Sequence, residues 1–233
     1  MNIEFEENGY ITFDNKLTPE FLDIAREITL DYRNRTINEN LIGQPRPFGL
    51  MKYWTGLDVA STEYDKLFEF YTSDLMYDIA SELLDTDEIY LFNDQIVVKL
   101  PNDNFTFDPH SDNGYGPNPQ MASEGWYRSI TCCWVLDDFT DENGPVKLLN
   151  KKTGEYVTTY SKAGDIIVWD GETLHYSEEN KSDKPRRVWL QVYTTKDITV
   201  LEPDFKYFYS QQFIKGNNIN QLKILKDGTS KII

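Results

Sequence analysis

Hydrophobic positions change their spacing along the chain, and the N-terminal part has the spacing of helices. Tyr10 to Phe13 alternate like a short strand. Thr18 and Pro19 then supply an N-cap and a first-turn proline, which is typical of a helix start. The apolar stripe behind this start consists of Phe21, Ile24, Ala25 and Ile28. The pattern predicts a strand followed by a helix.

A second helix is predicted from about Thr62 to Leu84, where apolar residues again recur three or four positions apart. Residues 31–57 separate the two helical patterns and are rich in turn-forming residue types. We therefore expect residues 31–57 to be irregular. Together, residues 1–88 are interpreted as a helical support for a core formed by later residues.

From Ile89 the chain changes to short runs of β-branched and aromatic residues separated by turn residues. The runs are IYLFNDQIVVKL, SITCCWVL, GPVKLL, EYVTTY, DIIVW and RRVWLQVY. Short strands at this spacing are typical of an all-β sandwich or barrel. We expect a single domain over residues 1–233, with its β core at 89–195. Residues 196–233 form an extension, whose aromatic first half is expected to dock on the core and whose end is expected to stay open.

Charge and cysteine content exclude several classes of partner and of site. The 233 residues carry a formal net charge of −16, which disfavours nucleic acid and anionic membranes. The start of the chain lacks the apolar segment of a signal peptide, and no apolar run reaches the ~18 residues of a membrane span. Cys132 and Cys133 are adjacent, which excludes a disulfide framework and favours buried thiols. A cytoplasmic protein with a small-molecule partner is expected.

The two histidines carry the chemical signal. His110 and Asp112 form an H-x-D motif, and His175 follows 65 positions after His110. The motif alone is a weak signal, because the chain contains 39 acidic residues. Two neutral imidazoles and one carboxylate on one face of an octahedron bind Fe(II) and leave three positions open. Zinc would accept the same three ligands.

Arg186 adds a cation to this set. It shares one face of its predicted strand with Val188, Leu190 and Val192, and this apolar face is expected to point inward. A buried arginine needs an anion. The distal carboxylate of a 2-oxo acid bound to iron would match the guanidinium fork. An internal salt bridge with one of the many acidic residues is the alternative.

These motifs resemble the phytanoyl-CoA dioxygenase-like family of Fe(II)- and 2-oxoglutarate-dependent oxygenases, which includes ectoine hydroxylases. The resemblance implies a mainly β fold with flanking helices, whose core is a double-stranded β-helix of jelly-roll, cupin-like form. It also implies a dioxygenase that uses Fe(II), 2-oxoglutarate and O2. The matching segments are GYITFDNKLTPEF, PHSDNGYG, SITCCWVLDDFTDENGPV and AGDIIVWDGETLHYSEENKSDKPRRVWLQVY.

The resemblance assigns roles residue by residue. It implies that His110, Asp112 and His175 are the catalytic iron ligands. It implies that Arg186 binds the distal carboxylate of 2-oxoglutarate. Tyr115 is a candidate for substrate contact, with packing inside its own loop as the alternative. The further candidates for cofactor binding are Ser177, Trp134, Gln95 and Lys99.

Two departures from the family pattern bear on the substrate. After Gly144 and Pro145 the chain enters a strand without the family's usual loop, so the substrate cannot be copied from a relative. A net charge of −16 also disfavours acyl-CoA. We expect hydroxylation of a small polar molecule with release of succinate and CO2. A peptide (prolyl-type) hydroxylase and a non-catalytic β-helix metal-binding module remain as alternatives, and in the latter Arg186 would pair with an internal acid.

Overall fold

Helices and short strands alternate at the N-terminus of the chain. The computed structural model describes residues 2–38, 53–54, 70, 73–102, 104–115, 124–195, 222–224 and 230–232. Its helices are α1 (Ile3–Asn8), α2 (Pro19–Asn38) and α3 (Asp74–Leu84). The backbone N–H of Phe21 donates to Thr18 Oγ1 at 3.2 Å, so the predicted N-cap of α2 is confirmed.

The larger sheet is antiparallel and contains the long strands. Its order is β1-β8-β5-β10-β3-β11-β12, and β2 also pairs with β3. Strand β3 is central because β10 pairs with it along almost its whole length, from Arg186 opposite Lys99 to Thr194 opposite Tyr90. The bounds are β1 (Tyr10–Phe13), β2 (Tyr53–Trp54), β3 (Ile89–Lys99), β5 (Ser129–Val135), β8 (Ile166–Asp170), β10 (Arg186–Thr194), β11 (Leu222–Ile224) and β12 (Ser230–Ile232).

The smaller sheet is built from short strands in the order β4-β9-β6-β7, also antiparallel. A 3₁₀ helix, Asp112–Tyr115, comes shortly after β4. The two antiparallel sheets confirm the predicted mainly β, jelly-roll fold. The strands are β4 (Phe107–His110), β6 (Val146–Leu149), β7 (Tyr156–Thr158) and β9 (His175–Ser177).

Alternation along the strands of the larger sheet separates two cores. On β5, Cys132 and Trp134 pack with the helices, whereas Cys133 and Val135 pack between the sheets. Val188 of β10 also belongs to the core between the sheets. The prediction that the face of Arg186 points inward is therefore confirmed, because side chains two apart in a strand share a face.

Four expectations for the periphery differ from the structure or lie wholly or partly outside the described residues. Helix α2 continues to Asn38 and β2 is a strand, so residues 31–38 and 53–54 are not irregular. Of the helix predicted from Thr62, the structure describes residues 70 and 73–84, with α3 in the second of these. The expected docking of residues 201–221 lies outside the described residues. The end of the extension is not open, because β11 pairs with β3 and β12 with β11.

Within the described residues, no helix has the length and apolar character required to cross a membrane.

Candidate active site

His110, Asp112 and His175 meet at one end of the smaller sheet. Strands β4 and β9 pair with His110 opposite His175, and the two ring centroids lie 4.2 Å apart. Asp112 begins the 3₁₀ helix, which turns its carboxylate back toward the rings: Oδ1 lies 3.7 Å from His175 Nε2. One ligand atom from each residue lies within 4.8 Å of the others. This spacing suits a single metal ion.

Backbone carbonyls orient both imidazoles. Nδ1 of His110 lies 2.6 Å from the carbonyl oxygen of Asp108, and Nδ1 of His175 lies 3.0 Å from that of Thr173. Each Nδ1 therefore carries the proton and donates it, which leaves the Nε2 lone pair for a metal. Burial, with a further contribution from neighbouring His175, lowers the pKa of His110. The neutral ring that a metal requires is thereby favoured.

Two side chains on the larger sheet hold the other carboxylate oxygen of Asp112. Oδ2 accepts hydrogen bonds from Thr131 Oγ1 at 2.5 Å and from Trp169 Nε1 at 2.9 Å. Thr131 and Trp169 are register partners on β5 and β8. Oδ1 is left to face the histidines. Sequence reasoning did not assign a site role to either residue, although a threonine at an inward position of an apolar strand was an available signal.

Arg186 lies between the sheets without a carboxylate partner among the described residues. Its side chain is 1% exposed, and Nη2 donates to the carbonyl oxygen of Gly144 at 2.8 Å. Nε has no hydrogen-bond partner in the described part of the chain. The neighbouring acid, Asp137, is bound instead by Arg187 through both carboxylate oxygens, at 2.7 Å each. Desolvation lowers the pKa of Arg186 to about 10, which leaves it a cation at neutral pH.

Lys99 is the register partner of Arg186 and is also buried. Its Nζ donates to Ser177 Oγ at 2.7 Å, to the Ser177 carbonyl at 3.2 Å and to the carbonyl of Glu178. Desolvation, with the nearby charge of Arg186, lowers the pKa of Lys99 to about 6. Ser177 shares its face of β9 with His175, so this pair of basic residues adjoins the histidines.

Phe107 connects the two parts of the site. Its ring centroid lies 6.0 Å from that of His110, and Lys99 Nζ lies 5.8 Å from the ring of Phe107. The same Nζ atom lies 5.8 Å from the ring of Phe105. The ring of Phe107 thus lies close both to His110 and to Lys99.

The remaining predicted residues divide between the two faces of the larger sheet. Gln95 shares the inward face of β3 with Val97. Trp134 lies on the opposite face, with its ring centroid 5.1 Å from that of Phe21 and 4.8 Å from that of Phe70. The alternation of β5 places Trp134 against the helices and away from His110, Asp112 and His175. Trp134 therefore lies on the face of the larger sheet opposite to that of Arg186.

Tyr115 ends the 3₁₀ helix. Its side chain is outside the described part of the chain, so its predicted contact with substrate stays a prediction.

Solved structures of similar fold include proteins that bind 2-oxoglutarate. EctD from S. alaskensis, in a structure with 2-oxoglutarate and 5-hydroxyectoine, is 16% identical with a TM-score of 0.65, over 82% of this chain and 73% of EctD. SnoN, a non-heme α-ketoglutarate-dependent epimerase from nogalamycin biosynthesis, is 18% identical with a TM-score of 0.62, over 82% of this chain and 79% of SnoN. AviO1 from Streptomyces viridochromogenes is 18% identical with a TM-score of 0.63, over 82% of this chain and 91% of AviO1. At these identities the likeness concerns the fold.

Family membership rests on the sequence. No curated protein sequence matches the chain significantly. The sequence profile of the phytanoyl-CoA dioxygenase (PhyH) family matches residues 5–151 and 147–188, which together cover most of the chain and include His110, Asp112, His175 and Arg186. The chain therefore belongs to the phytanoyl-CoA dioxygenase family.

Proposed function

We propose that this dioxygenase depends on Fe(II) and 2-oxoglutarate and hydroxylates a small polar molecule, with release of succinate and CO2. In this proposal His110, Asp112 and His175 hold the iron. Arg186 binds the distal carboxylate of 2-oxoglutarate, with Lys99 beside it. Bound iron and 2-oxoglutarate would supply the activation of O2.

The observation that carries the proposal is the burial of Arg186 without an acidic partner among the described residues. A non-catalytic metal-binding module would require an internal acid for this cation, because an unpaired buried charge is costly. Asp137, which lies two positions after the end of β5, is engaged by Arg187. Nε of Arg186, which has no partner among the residues that the structure describes, is a donor for an incoming carboxylate. A dianionic co-substrate supplies the missing charge.

The donor set fits iron. Two Nε2 atoms and one carboxylate oxygen are a donor set that would bind Fe(II) and leave coordination positions for the co-substrate and O2. The protein's own contribution is to fix the imidazole tautomers through Asp108 and Thr173, and to keep Asp112 Oδ2 occupied by Thr131 and Trp169. Arg186 orients the co-substrate.

A small substrate agrees with the ligands of the similar structures. EctD was solved with 5-hydroxyectoine and SnoN with a nogalamycin compound, both small molecules. SnoN is an epimerase and SnoK a carbocyclase, so the fold also serves reactions other than hydroxylation. A net charge of −16 disfavours a polyanionic acyl-CoA substrate.

The test is an anaerobic titration of the apo-protein with Fe(II) and 2-oxoglutarate, followed by visible absorption. We expect a charge-transfer band that requires both additions and is absent from Asp112→Ala. The matched control is Asp183→Ala, which removes an exposed carboxylate from a turn and should keep the band. Iron binding without any band would favour the metal-binding module and overturn the proposal.

A further inference from the structure

The turn that carries Asp112 is hydrogen-bonded to Gly171, the residue that follows β8. Asn113 follows Asp112, and its backbone N–H donates to the carbonyl oxygen of Gly171 at 2.9 Å. Its side-chain Oδ1 accepts a hydrogen bond from Ser129 Oγ at 2.7 Å. The N–H of Gly171 in turn donates to the carbonyl oxygen of Ser129 at 2.9 Å. Three residues from three segments thus form a closed set of hydrogen bonds.

This set depends on the absence of a side chain at Gly171. The backbone of Gly171 does not adopt a positive φ, so alanine is compatible with its conformation. A Cβ there would nevertheless overlap Ser129 Oγ and lie 2.6 Å from Asn113 Oδ1. Asn113 is only 9% exposed and Ser129 only 4%, which leaves little room for either side chain to move aside. Glycine is therefore required at position 171 because a larger side chain would collide with Ser129 and Asn113. The backbone conformation does not require it.

We infer that Gly171, Ser129 and Asn113 are positioning residues for the metal site, because they fix the backbone at Asp112. Thr131 and Trp169 hold the carboxylate of Asp112, whereas this second set holds the turn from which the side chain projects. A shift of the turn would move Oδ1 relative to the two Nε2 atoms. This inference rests on the proposed function, in which Asp112 is an iron ligand.

The test measures binding of Co(II), a divalent probe with visible absorption, to the apo-protein. Gly171→Ala should weaken Co(II) binding by about tenfold or more, the usual effect of losing support for a metal ligand. Asn113→Ala removes the hydrogen-bond acceptor of Ser129 without adding bulk. It should also weaken Co(II) binding. Asn113→Ala keeps the test decisive if Gly171→Ala fails to fold.

A double-mutant cycle separates positioning from a general loss of stability. Ser129→Ala removes the atom that the new Cβ would overlap, so Gly171→Ala combined with Ser129→Ala should bind Co(II) more tightly than the product of the two single effects. Gly154→Ala is the control, because Gly154 has a positive φ and open space around it. It should lower the melting temperature and leave Co(II) affinity unchanged.

The outcomes distinguish the two proposals. If the wild-type protein does not bind Co(II), or if Asp112→Ala binds it equally well, the proposed function fails. If wild-type binding depends on Asp112 but Gly171→Ala and Asn113→Ala match the wild type, the positioning role is overturned. Strictly multiplicative effects in the cycle would also overturn it.

Discussion

At the scale of single residues, the sequence identifies the metal ligands but not the groups that orient them. Asp112 can be recognised from its spacing to His110. Its hydrogen-bond donors, Thr131 and Trp169, lie 19 and 57 positions away. They reach Asp112 only because β5 and β8 pair in one particular register, and that register cannot be deduced from the alternation within either strand.

Trp169→Phe tests the orientation of Asp112, because it keeps an aromatic ring and removes the indole N–H. Oδ2 would lose one of its two donors, so Fe(II) affinity should fall by about tenfold. Anaerobic titration with Fe(II) measures this. Trp189→Phe is a matched control, since Trp189 is equally buried in the same sheet but packs toward the helices. Equal affinities in the two variants would contradict the orienting role.

Arg186 and Arg187 provide a natural comparison within one strand. Lysine keeps the charge at either position but lacks the bidentate fork. Arg186→Lys should weaken 2-oxoglutarate binding by about tenfold or more, whereas Arg187→Lys, on the other face and paired with Asp137, should leave it unchanged. The dependence of the charge-transfer band on 2-oxoglutarate concentration measures both. A weaker band in Arg187→Lys alone would reverse the assignment.

At the scale of elements, the long strands could be predicted and the two that carry the histidines could not. β3, β5, β8 and β10 contain runs of β-branched and aromatic residues that predict strands directly. β4 is the four-residue FDPH and β9 the three-residue HYS, and neither has a periodicity that can be detected at that length. These strands exist because they pair with each other and because β9 also pairs with β6.

The loop before β6 packs against the loop after β9 at another glycine. Gly144 has a φ of +66°, and a Cβ there would overlap the carbonyl oxygen of Glu178. That oxygen accepts a hydrogen bond from Lys99, and the carbonyl oxygen of Gly144 accepts one from Arg186. Gly144→Ala should therefore destabilise the fold by about 2–4 kcal/mol and weaken 2-oxoglutarate binding.

Gly154→Ala is the control for this variant too, because Gly154 has a φ of +73° with no neighbouring atom in reach. Backbone strain alone should cost it about 1 kcal/mol. Urea unfolding of both variants measures the difference. Equal losses of stability would show that strain, and not the contact with Glu178, makes glycine necessary at position 144.

At the scale of the whole molecule, an acidic chain has two basic side chains in its buried site. The chain has a net charge of −16, yet its buried site contains Lys99 and Arg186 and no carboxylate bound to either side chain among the described residues. Composition shows an acidic protein, and the alternation of β10 predicted that Arg186 is buried. That Lys99 lies opposite Arg186 could be known only from the register between β3 and β10.

This buried lysine makes stability depend on pH. The pKa of Lys99 is about 6 in the folded protein against 10.5 for a free lysine, so the unfolded chain binds more protons between these values. The free energy of unfolding should rise with pH from about 6 toward 8, by at most about 1.4 kcal/mol per pH unit. Urea unfolding across this range measures the slope.

Lys99→Met should remove that contribution to the slope, and the exposed Lys184→Met should retain it. The rise in the free energy of unfolding should end near pH 8, because burial raises the pKa of Cys133 in the folded protein to about 12. Thiols of the unfolded chain ionise above about 8.5 and lower stability there. An unchanged slope in Lys99→Met would mean that Lys99 stays protonated in the folded protein.

The pairing of β3 has a consequence for folding during synthesis. β3 is synthesised before its partner β10, and Arg186 follows Lys99 by 87 positions. At about 5–20 residues per second, the ribosome needs several seconds to supply β10. During this interval both edges of β3 lack β10 and β11, which exposes an apolar strand to association with other chains. Nascent chains that stop before Arg186 should therefore depend on chaperones.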